Sequence, residues 1–96
     1  LLANRAAIGD VLERGARYLG LANPGFDSFY GFVMSLREAV DIPNDLGALE
    51  IDDTEAERIG GMAVDDPTAA TNPIPFSADQ YAAIFRRACA GELTAA

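Results

Sequence analysis

Apolar positions recur along the chain at the spacing of one helical face, in four separate segments. In the first, Ile8, Val11, Leu12, Tyr18 and Leu19 form one stripe, while Arg5, Glu13, Arg14 and Arg17 fall largely off it. The pattern predicts a helix over roughly 4–19, with Gly20 placed as a C-terminal cap and Asn23-Pro24-Gly25 as a turn. Phe26, Phe29, Tyr30, Val33, Leu36 and Val40 repeat the spacing in a second helix, read as the core element. Pro43 stops it, because proline lacks an N–H and disfavours the helical state of Ile42 before it.

Between 41 and 50 no period is sustained, which predicts a short turn or broken helix. A third helix is expected to begin near Asp52. Asp52 and Glu55 have capping-box spacing, and the carboxylates of Asp53, Glu55 and Glu57 suit the positive end of a helix. Ile59, Met62 and Ala63 would face inward. Gly60 and Gly61 together cost about 2 kcal/mol relative to alanine, a cost with a purpose if another backbone approaches closely there. Pro67, Pro73 and Pro75 make 65–76 a fixed, extended loop with no helical period. The last helix opens with Ser77 as N-cap, Gln80 as its box partner and Phe76 placed to staple against Tyr81. Tyr81, Ile84, Phe85 and Ala88 form its expected buried stripe, Arg86 and Arg87 suit its negative end, and Gly91 stops it. No strand-like alternation of useful length is present. The expected fold class is therefore all-α, a bundle of about four main helices.

Composition adds bounds. At 96 residues and 50% hydrophobic, the chain suits a single domain, 1–96, and does not have the composition of a disordered segment. Lys+Arg 7 against Asp+Glu 15 gives a net charge of −8, which repels phosphate backbones and argues against nucleic acid as a partner. No apolar run approaches the roughly 20 residues that span a bilayer, and the start has no signal-peptide stretch, so no membrane is expected and the reading is a soluble, cytoplasmic protein. Cys89 stands alone, which rules out an internal disulfide and fits a reducing compartment. There is no histidine and every cation is arginine, so the usual proton shuttle, the commonest transition-metal ligand and any Schiff-base amine are missing. Catalysis by this segment alone is not expected. Its first residue is Leu rather than Met, which reads as a piece of something longer.

Nine acidic residues crowd 41–68 against Arg58 alone. Neither acidic stretch has the alternating ligands and central glycine of a calcium loop, so these residues are read as a solvated acidic face with helix-start carboxylates, and no metal site is assigned. Asp65-Asp66 is read as helix-terminal or loop-bracing rather than a convergent acid–base pair. Cys89, beside a buried stripe, is read as packing. Gly25-Phe26-Asp27-Ser28-Phe29 resembles the serine-bearing helix start of an acyl carrier protein, which would carry phosphopantetheine on Ser28. Phe29 departs from that family's leucine, and the proline-rich loop with its following helix has no place in it. The simpler account puts Asp27 and Ser28 in a first helical turn, where short polar side chains satisfy free N–H groups. A free-standing helical interaction module is a third reading.

An ordered set of segments runs through the second half. Ile42-Pro43 is followed by Leu46, an acidic helix start, Ala63-Val64-Asp65-Asp66-Pro67, then Thr71-Asn72-Pro73-Ile74-Pro75-Phe76 and a final helix ending Ala88-Cys89-Ala90-Gly91-Glu92-Leu93. From about Phe32 to Leu93 this order and spacing resemble the C-terminal end of iron-containing (group III) alcohol dehydrogenases. Leu1 to Leu21 look, more loosely, like the helix after that family's metal-binding segment. The resemblance implies a dehydroquinate synthase-like C-terminal helical domain, a fragment of a larger two-domain enzyme. Its partner would be its own N-terminal nucleotide-binding domain, with the active cleft between the two.

Such parents interconvert small alcohols and aldehydes or ketones with NAD(P) and Fe2+, or Zn2+ in some. Their metal ligands, one Asp and three His, lie upstream of this segment, as does the glycine-rich nucleotide loop. The resemblance therefore assigns no catalytic residue, metal ligand or bound cofactor to these 96 residues. What it leaves them is one wall of the cleft. Thr68 takes the position from which a side chain reaches the substrate pocket, where some relatives carry cysteine. Asp66 and Asn72 are read as bracing the loop, since an Asn before Pro commonly bonds nearby backbone. A domain built to pack on another would expose an apolar patch, expected on the first helix and the 65–76 loop, which leaves room for a homodimer.

Overall fold

The structure, a computed structural model, describes residues 1–92. Among them it is all-helical, with four α-helices and no strand. These are α1 (Arg5–Tyr18), α2 (Phe26–Ala39), α3 (Ala56–Asp65) and α4 (Ala78–Ala90). Short 3-10 turns cover Leu2–Asn4, Gly47–Leu49 and Pro67–Thr71. Leu93, the last residue of the family resemblance, lies outside the described residues. No helix among them is long and apolar enough to cross a membrane. The chain divides into two compact units, 1–42 and 43–96.

In the first unit, Ala16 and Phe26 are buried. Gly15 admits the Phe29 ring, which a Cβ at position 15 would meet at 3.1 Å. The Phe26 ring stacks on Tyr30 at 6.0 Å and takes the Arg5 guanidinium on its face at 4.6 Å. Arg5 also pairs with Asp27 at 3.1 Å, an exposed contact worth at most about 1 kcal/mol. Helix ends follow one rule. After α1 the Leu21 N–H donates to the Ala16 carbonyl, with Gly20 at φ 71°; after α2 the Ile42 N–H donates to the Arg37 carbonyl, with Asp41 at φ 59°. Both closures satisfy orphan carbonyls through one left-handed residue.

The expected inward stripes hold only in part. Val11 and Tyr18 on α1 and Leu19 just after it are exposed, Tyr18 to 92%, as are Leu36 on α2 and Val40 just after it; Phe32, outside the expected stripe, is exposed as well. The named α1 contacts fall on the first turn of α2, at Phe26, Asp27 and Phe29, and none of them reaches its second half. The expected apolar exposure on the first helix is present. On the 65–76 loop it is not, since no large exposed apolar side chain falls there among the described residues.

In the second unit α3 and α4 form the most closely packed helix pair, so the densest packing lies there and not on α2 as the pattern suggested. Ala56, Gly60 and Ala82 are its buried residues. Met62 and Ala88, expected inward, are exposed. Segment 43–51 lies against the end of α4: the Leu46 N–H donates to the Ala88 carbonyl at 3.0 Å, and Gly47 faces the Cys89 carbonyl. The third helix begins at Ala56 rather than near Asp52. The Asp52 carboxylate accepts from both the N–H and the hydroxyl of Thr54, at 3.1 and 2.7 Å, and so closes a tight turn instead of a helix start.

Candidate functional site

The 65–76 segment is not extended throughout. Asp66 caps a 3-10 turn over Pro67–Thr71, its carboxylate accepting from the Thr68 N–H at 2.8 Å and the Thr68 hydroxyl at 2.5 Å. Pro67 favours this start, because its missing N–H would have been an orphan and its φ is already helical. The Thr71 hydroxyl donates to the Thr68 carbonyl at 2.8 Å. The Asn72 side-chain amide donates to the Ile74 carbonyl at 2.6 Å, bridging Pro73 and holding the chain as it turns toward α4. The entry to α4 is fixed from both sides: Ser77 and Gln80 exchange reciprocal hydrogen bonds at 3.2 and 2.8 Å, and Phe76 meets Tyr81 edge-to-face at 5.7 Å.

These restraints shape an open groove of about 340 Å³ lined by Ala63, Asp66, Thr68, Ala69, Asn72 and Tyr81. Thr68, Asp66 and Asn72, the three positions singled out from the sequence, thus meet on one surface. The groove also takes in Ala63 and Tyr81, whose places in the sequence pattern mark them only as packing residues. The two Thr68 hydrogen bonds, the hydroxyl first, hold the Asp66 carboxyl below the usual aspartate range. Asp66 and Thr68 are exposed, while Asn72 and Tyr81 are half-buried. Chemically the groove offers short polar groups already partnered within the loop, set among small apolar walls. It can shape and orient a small ligand, and its one hydroxyl–carboxylate contact, Thr68 to Asp66, joins a threonine to a carboxylate whose basicity that same bond lowers, a weak pair for nucleophilic chemistry.

A second depression of about 300 Å³ is lined by Gly47, Ile51, Asp52, Asp53, Arg86, Cys89 and Ala90. Burial pushes the Cys89 thiol up, and the negative charges of Asp53, Asp52 and Asp45 push it the same way. The Arg86 guanidinium is raised chiefly by its hydrogen bond to Glu57 across the α3–α4 pair. A half-buried thiol among acids is a poor nucleophile, which agrees with the packing role read from the sequence.

The Ser28 hydroxyl accepts from the Gly25 N–H and donates to the Gly25 carbonyl, both at 3.0 Å. Its proton is engaged and the residue is half-buried, a first-turn arrangement that weighs against a serine presented for phosphopantetheine transfer. No protein family, curated protein or solved structure matches the chain.

Proposed function

We propose that this chain is the C-terminal helical part of a metal-dependent, NAD(P)-linked alcohol dehydrogenase and forms one wall of the parent's active cleft. The observation that carries the reading is the convergence of Thr68, Asp66 and Asn72 on one groove whose loop is braced at every turn. Hydride transfer needs a carbonyl polarised by a Lewis acid and a nicotinamide held in line with it. The donor set does not fit a metal here. The chain has no histidine, and among the described residues no three His, Cys, Asp or Glu side chains come together to hold one. In this reading the metal and nucleotide belong to the parent's own N-terminal nucleotide-binding domain and the segment that follows it.

What these residues would do is position and exclude. Asp66 fixes Thr68 by two hydrogen bonds, so the threonine methyl and hydroxyl stand at one set place on the wall. A fixed wall limits the poses of a small alcohol and the entry of water. The exposed apolar side chains of α1 are compatible with a covering domain or a homodimer. The test is an assay of the full polypeptide that carries residues 1–96, for NAD(P)-dependent oxidation of a series of primary alcohols after Fe2+ loading. Thr68→Phe is expected to raise KM for the longer alcohols at least tenfold, with kcat for the shortest little changed. An inactive full polypeptide, or a KM series indifferent to Thr68→Phe, overturns the reading.

A further inference from the structure

We draw no further inference here: the strongest candidate, the exposed apolar stripe Phe32, Leu36 and Val40 running from the middle of α2 to the residue after its end, is a helix face for which nothing in the structure shows what covers it.

Discussion

Gly60 on α3 packs directly on Ala82 of α4, so closely that a Cβ at position 60 would stand 3.0 Å from the Cβ of Ala82 and 2.9 Å from its amide nitrogen. It would also overlap the Ala78 carbonyl oxygen. Backbone cannot rotate away as a side chain can, so Gly60→Ala is expected to destabilise the second unit by about 1–3 kcal/mol despite alanine's better helix propensity. Gly61 has nothing within 4 Å of its would-be Cβ. Gly61→Ala is therefore expected to stabilise by about 0.5–1 kcal/mol. Denaturant titration of both variants checks the pair, and equal effects would show that the close approach is absent.

Ser77→Ala removes the acceptor for the Gln80 N–H while leaving the Phe76–Tyr81 contact in place. The expected loss is about 1 kcal/mol, and Ser77→Asp, which restores an acceptor at the N-cap, should recover most of it.

The Asp66 carboxyl lies below its ordinary value because Thr68 donates to its charged form. A depressed folded value means that the carboxylate's contribution is complete above the usual aspartate range and is lost as pH falls through the lower, folded value. Carbon NMR titration of the Asp66 carboxyl should thus give a midpoint below that of an aspartate in an unstructured peptide. In Thr68→Val the hydroxyl is gone but the N–H bond remains, so the midpoint should rise part of the way back.

Cys89 is expected to react slowly. With its thiol raised by burial and by neighbouring aspartates, alkylation by iodoacetamide at neutral pH should be slower than that of free cysteine. In 6 M guanidinium chloride the difference should vanish. Fast alkylation of the folded chain would contradict the geometry of the depression around it.

Two positions on α2 should respond very differently. Phe26, 7% exposed, stacks on Tyr30 and receives Arg5, so Phe26→Ala should cost about 3 kcal/mol and melt the first unit. Leu36, 53% exposed, should tolerate Leu36→Ser within about 0.5 kcal/mol. Circular dichroism during denaturation separates the two outcomes.

Where local chemistry decides the structure, it was legible in the sequence. Ser77, Gln80, Phe76 and Tyr81 sit within a few residues of one another and form the expected helix start. Gly20 and Gly91 adopt the left-handed cap that only a residue without a Cβ adopts freely. Competition between local bonds was harder to see. Thr54 captures Asp52 before Asp52 can cap a helix, and the same geometry at Asp66 and Thr68 starts a 3-10 turn inside a stretch read as extended. A five-residue 3-10 turn is too short to leave a period in the apolar pattern, although Asp66-Pro67 is itself a helix-start signal. Periodicity also says which face is apolar but not how far along the helix a partner extends. Hence Leu36 and Val40 read as core yet lie exposed. In the groove, Thr68, Asp66 and Asn72 were recognisable, whereas the contribution of Tyr81 depends on α4 returning past α3, which no local signal encodes.

The strap formed by residues 45–51 changes the character of the end of α4. A helix terminus ordinarily frays, exposing its final carbonyls to solvent. Here the Ala88 carbonyl is occupied by the Leu46 amide, and Gly91 is confined beside Asp45. Opening of the terminal turn is thereby tied to opening of the acidic segment, so the amide protons at Leu46 and Glu92 should show one opening free energy, once each exchange rate is divided by its intrinsic rate, and one sensitivity to denaturant.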